Sequence, residues 1–228
     1  RFGLDSRTFL FRREKNMEQS QHLCRLCPRN CGVDRSRQTG FCKAGDKVKL
    51  ARAALHFWEE PCISGEEGSG TVFFSGCPLQ CVFCQNHQIS AECYGKEISI
   101  KRLAEIFLEL QNQGANNINL VTGGHFVPQI IQALDMVRRD LKIPVVYNSS
   151  GYETVETLRM LKGYVDIYLP DIKYFSPERS KRYSHAPDYF EVASKAVQEM
   201  FSQVGAVEFD ERGVLTKGVI VRHMVMPN

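Results

Sequence analysis

From residue 71 onward, short apolar runs alternate with amphipathic helical patterns, and no other feature restricts the fold as much. Residues 71–74, 117–121, 145–147, 165–169 and 219–225 are β-branched or aromatic segments bounded by Gly, Pro, Asn or Asp, which predicts five strands. Between them, Ile100, Leu103, Phe107 and Leu110 share one helical face, with Ser99 placed to cap it and Gly114 to end it. Val127, Ile130, Leu134 and Val137 mark a second helix. Tyr189, Ala193, Ala196, Met200 and Val204 mark a third, entered at Pro187 and closed by Gly205. A repeated strand–helix order requires a mainly parallel sheet with right-handed crossovers, either open or curled into a barrel.

At 228 residues and 43% hydrophobic, the chain has material for one large α/β domain and a small appendage. The division expected is a polar extension over 1–21, a cysteine-rich, loop-rich lobe over 22–70, and the strand–helix domain over 71–228. The sequence begins at Arg1 without an initiating Met and stops at Asn228 inside an apolar stretch, so a further C-terminal segment is expected. The net charge is only +3, and Lys and Arg are interspersed with acids, which argues against a nucleic-acid footprint. Arg12, Arg13 and Lys15 read as solvated surface. Neither a membrane-spanning apolar stretch nor a signal peptide is visible, so the expectation is a cytoplasmic protein with no membrane partner.

In a reducing compartment nine cysteines point to metal or catalysis rather than to disulfides. Seven fall into two groups, at 24, 27, 31 and 42 and at 77, 81 and 84; Cys62 and Cys93 stand alone and read as small buried hydrophobes. Cys77, Cys81 and Cys84 have the spacing C-x-x-x-C-x-x-C directly after a strand and Gly76. Three thiolates can each take one corner iron of a four-iron cube and leave the fourth without a protein ligand. The alternative is zinc with a remote fourth ligand. Cys24, Cys27, Cys31 and Cys42 supply four thiolates, enough for either a zinc ion or an iron–sulfur cluster, and both stay open: a structural site pinning a coreless segment, or an auxiliary cluster.

The triplet, with aromatic Phe83 before its last cysteine, resembles the cluster motif of the radical S-adenosylmethionine superfamily. The following Gln85 and Asn86 are similar to the segment of pyruvate formate-lyase activating enzymes, and the nearest likeness is an uncharacterised branch related to those activases. The resemblance spans about 22 to 226 and implies an incomplete (β/α)6 barrel, with five strands in the sequence and a sixth beyond Asn228. It also implies a [4Fe-4S] cluster and S-adenosylmethionine as cofactors, the methionine amine and carboxylate chelating the open iron. A low-potential donor such as flavodoxin or ferredoxin would supply the electron that breaks the sulfonium bond, and the 5'-deoxyadenosyl radical released would abstract hydrogen.

In a parallel barrel, ligand-binding groups gather at the C-terminal strand ends. After the second strand, Gly123 and Gly124 resemble the Gly-Gly-Glu motif that holds the cofactor amine, with His125 where the family has Glu. After the third, Asn148 and Ser150 suit ribose hydroxyls, or cap a helix. After the fourth, Asp171 and Lys173 are similar to the activases' Asp-x-Lys segment, a surface ion pair being the alternative. On the fifth, Arg222 and His223 interrupt an apolar run, and the resemblance puts His223 near the adenosyl group; a satisfied core histidine is the other reading. The function expected is activase-like, making a carbon radical on a protein partner, for instance a glycyl radical. Radical modification of a small molecule or peptide is the alternative enzyme, and a non-catalytic iron–sulfur electron carrier is the rival of another class.

Overall fold

The computed structural model describes residues 23–225. The expected 1–21 extension, with Arg12, Arg13 and Lys15, and any strand beyond 225 lie outside them. In chain order the elements are β1 (Lys49–His56), α1 (Pro61–Ser64), β2 (Ser69–Phe74), α2 (His87–Ser90), β3 (Lys96–Glu97), α3 (Ile100–Asn112), β4 (Ile118–Val121) and α4 (Val127–Val137). There follow β5 (Val145–Ser149), α5 (Val155–Met160), β6 (Ile167–Ile172), α6 (Pro177–Ser184), α7 (Tyr189–Val204), β7 (Glu208–Phe209), β8 (Leu215–Val219) and β9 (Arg222–His223).

The result is a mixed α/β fold around a parallel-rich sheet. Strands β2, β4, β5, β6 and β8 run parallel and adjacent, so that Val72, Leu120, Tyr147, Tyr168 and Val219 form one cross-strand row. That row faces the main core, where Tyr147 and Tyr168 meet edge to face with ring centroids 6.0 Å apart. The opposite face carries Val146, Ile167 and Leu169, packed with Ile63 and Leu215. Strands buried on both sides read as short continuous apolar runs, which is why periodicity located them.

The three expected helices form where the apolar spacing puts them. Ser99 caps α3 by accepting the Arg102 N–H at 3.1 Å, and Leu103, Phe107 and Leu110 are buried. Gly205, at φ 73°, closes α7, whose Tyr189, Ala193, Ala196, Met200 and Val204 are buried.

Two strand expectations need correction. Strand β1, whose residues were expected in a loop-rich lobe, pairs antiparallel with β2, with Ala53 opposite Val72. Its sequence, KLARAALH, is rich in helix formers, and long-range pairing overrides that weak preference. The run 219–225 is not one strand: β8 lies earlier, and β9 is a separate two-residue strand beside Asp171 and Ile172 of β6. Apolarity misled there because Val221 and Val225 are exposed, whereas the preceding Leu215 is buried.

Because Phe107 is fully buried between α3 and the sheet, Phe107→Ala is expected to destabilise the fold by about 3–5 kcal/mol in chemical denaturation. The exposed Phe201→Ala should stay within about 0.5 kcal/mol of the parent.

Candidate active site

The triplet loop leaves the C-terminal end of β2 through Gly76, at φ +90°. A Cβ there would collide with the Cys42 carbonyl, so glycine serves both the turn and the close approach. Backbone bonds fix the exit: Ser75 N–H donates to Lys49 O at 2.9 Å and Gly76 N–H to Ile89 O at 2.8 Å. His125 braces the same point from behind. Its Nε2 is 2.8 Å from the Ser75 carbonyl, which can only accept, so Nε2 carries the proton. Burial pushes its pKa down to about 4, so the ring is neutral.

Each thiol of the triplet has its own partner. Leu79 N–H points to Cys77 Sγ at 3.4 Å, Ser184 Oγ–H to Cys81 Sγ at 2.8 Å, and Ser90 Oγ–H to Cys84 Sγ at 3.3 Å. Burial raises Cys77 to about 12 and also lifts Cys81. Buried thiols of that kind ionise readily only against a cation, so their chemistry suits a metal cluster. Among the described residues no three His, Cys, Asp or Glu side chains converge around a point for one metal ion. A cube avoids that requirement, since each thiolate holds a different iron.

The loop forms one wall of a cleft of about 860 Å³, which Phe83, Gln85 and Asn86 also line. The facing wall comes from later strand ends: Asn148 of β5, Ser150, Asp171 of β6, Lys173 and His223 of β9. Asp171 accepts from Lys173 Nζ at 2.5 Å and from Arg222 Nε at 2.9 Å, and Arg222 Nη2 reaches Asn148 Oδ1 at 2.7 Å. Gly151, at φ +76°, lets the backbone after Ser150 press against the Asp171 carbonyl. His223 Nδ1–H donates to Ile172 O at 2.6 Å, which leaves Nε2 as the ring's other polar atom.

Gly123 and Gly124 are not among the cleft-lining residues, although neighbouring Thr122 is. A Cβ on Gly123 would strike Ile130, and one on Gly124 would strike the Glu153 carboxylate, so both positions sit under tight packing. Glu153 is fully enclosed; Ser149 Oγ–H donates to it at 2.7 Å, and burial raises its pKa to about 7. Sequence reasoning missed one side of the cleft: Arg52 and His56 of β1, and Trp58, Glu59 and Glu60 after it. Glu59 and Glu60 approach Arg222 Nη1 at 3.7 and 3.6 Å. The available signal was Trp58, the single Trp of the chain, standing before two acids and Pro61.

The N-terminal quartet lies close to this site. Cys27 and Cys42 are buried, Cys24 and Cys31 half-buried, and all nine cysteines are unpaired. Of the two isolated cysteines, Cys93 is buried and Cys62 half-buried against a small core.

A parallel-rich α/β fold with three thiols at a strand-end cleft is the arrangement of a radical S-adenosylmethionine domain. Residues 71–205 match the model of the Radical SAM superfamily, and the chain belongs to that superfamily. Membership implies a [4Fe-4S] cluster, S-adenosylmethionine and radical chemistry. The chain is 33% identical over 213 residues to the uncharacterized protein MJ0674 of Methanocaldococcus jannaschii, which covers 90% of this chain but only 57% of that protein.

Glu153 generates a pH prediction. Its folded pKa, about 7, exceeds the ordinary 4.5, so between these values the native state holds a proton that the unfolded chain has lost, and stability falls as pH rises. Relative to Glu153→Gln, which is neutral throughout, the wild type is expected to lose on the order of 3 kcal/mol across that window in urea unfolding. A constant difference would show that Glu153 is not perturbed.

Proposed function

We propose that this protein reductively cleaves S-adenosylmethionine at a [4Fe-4S] cluster held by Cys77, Cys81 and Cys84. The observation that carries the reading is three thiols on one loop facing a cleft whose other wall is made of polar strand ends. When bound, the cluster and S-adenosylmethionine supply a one-electron cleavage that yields methionine and a hydrogen-abstracting 5'-deoxyadenosyl radical.

In this reading the chain's own groups bind and orient. Phe83, Gln85 and Asn86 flank the thiols on one wall. Asn148 and Ser150 offer hydrogen bonds to ribose, His223 Nε2 accepts from the adenosyl group, and Thr122 contributes to the wall, with Gly123 and Gly124 packed behind it. Asp171 and Lys173, locked together with Arg222, set the charge beside Cys81. The sheet is then the described part of an incomplete (β/α)6 barrel, with the cysteine-rich segment before it.

The activase-like role rests on the triplet context with Gln85 and Asn86, and on an open mouth where Trp58 is 88% exposed, suited to a protein partner carrying the glycine to be activated. A low-potential donor such as flavodoxin or ferredoxin would complete the system. Nine free thiols and an oxygen-labile cluster fit a cytoplasmic setting.

Anaerobically reconstituted protein is expected to release 5'-deoxyadenosine under strong reductant, and Ala at Cys77, Cys81 or Cys84 should abolish release. A reduced spectrum indifferent to S-adenosylmethionine would favour the electron-carrier reading instead. The hydroxyl contacts add a finer expectation: hydrogen bonds to cluster sulfurs raise the reduction potential, so Ser184→Ala should move the midpoint negative while iron content holds. An unchanged midpoint would separate Ser184 from the cluster.

A further inference from the structure

The quartet segment has little regular structure of its own and joins the main core through Cys42, Ala44 and Val48. Among the described residues from 23 to 48, the bridge Leu23 to Asp34 is the only ladder contact before β1, and no helix forms. Yet the segment is tightly turned, with Asn30, Gly32 and Lys43 at positive φ. The turns bring the cysteines together: Cys42 lies within electrostatic reach of Cys24 and Cys31, and Cys27 within reach of Cys31 and Cys42.

Backbone N–H groups also point at the sulfurs. Phe41 N–H lies 3.4 Å from Cys31 Sγ, the Arg29 N–H approaches Cys27, and the Ala44 N–H approaches Cys42. The last two repeat the donor two residues ahead seen from Leu79 to Cys77 in the triplet. Such donors serve a thiolate far better than a neutral thiol.

We propose that Cys24, Cys27, Cys31 and Cys42 hold a second iron–sulfur cluster, fully ligated by protein and backing onto the triplet loop. Four thiols release four protons, and each forms one bond to iron of a [4Fe-4S]2+ core made of two ferrous ions, two ferric ions and four sulfides, so assembly needs no net electron transfer. The quartet, like the triplet, does not gather three ligands around one point, whereas a zinc ion would draw four sulfurs onto a single tetrahedral centre. The site abuts the other loop: the Cys42 carbonyl occupies the space beside Gly76, and the Gln80 side chain donates to Phe41 O. Because a metal binds only the folded form, the cluster would also add folding free energy to a segment that has no helix and a single isolated bridge among its described residues.

The test uses the full chain with Cys77, Cys81 and Cys84 all changed to Ala, purified without oxygen and analysed for iron, sulfide and zinc. It should keep about half of the wild-type iron, roughly four per chain with matching sulfide. Its reduced signal should not respond to S-adenosylmethionine. About one zinc with no sulfide, or no metal at all in a segment that still resists proteolysis, overturns the proposal. If the variant does not fold, the wild-type count decides: roughly eight irons per chain supports two clusters, and roughly four overturns the second. Failure of the triplet to cleave S-adenosylmethionine leaves these metal counts unaffected, so the two readings fail separately.

Discussion

The close passage of two backbones at Gly76 is the constraint on which the rest of the site depends. There the chain leaves the parallel sheet, the Cys42 carbonyl lies where any side chain would sit, and His125 holds the Ser75 carbonyl from below. A loop fixed at its first residue can present three thiols in one direction. From the other side, Arg29 reaches Pro78 O at 2.7 Å and Ser184 O at 2.9 Å, with its guanidinium 4.1 Å above the Phe41 ring. Arg29 thus joins the quartet segment, the triplet loop and the end of α6. Three stretches far apart in sequence behave as one mount.

The sheet supplies the opposite wall by its topology alone. Parallel strands deliver all their C-terminal ends to one side, so Asn148, Asp171 and His223 meet although long stretches of chain separate them. The tight glycines follow from the same geometry. Gly151 lets the turn after β5 lie against the end of β6, and Gly124 makes room for the Glu153 carboxylate beneath the β4 turn.

What was legible in the sequence was what local spacing encodes. The triplet stands within eight residues, and the α3, α4 and α7 faces repeat within a few turns, so all could be read without knowing any partner. The polar strand-end residues were legible once the strand order implied a common side. Strand β1 was not, because only its ladder with β2 makes KLARAALH extended, and with it went Trp58, Glu59 and Glu60. The position of His125 could be read from the chain, but its role could not. The ring turns to the core because the Ser75 carbonyl offers it a partner there, a fact held in a contact between residues 50 positions apart.

Charge gives the two walls of the cleft opposite characters. On the strand-end side, Arg222 is enclosed by Asp171, Glu59, Glu60 and Asn148, while Lys173 is taken by Asp171. That group sets two cations against three carboxylates in one bonded network, and burial raises the Glu59 pKa, so the wall can position a ligand through directed hydrogen bonds. The thiol side is the reverse. Burial pushes Cys77 up to about 12 and raises Cys81 as well, so these two thiols ionise readily only where a cation offsets the desolvation. Metal uptake there must expel protons and so strengthen with rising pH.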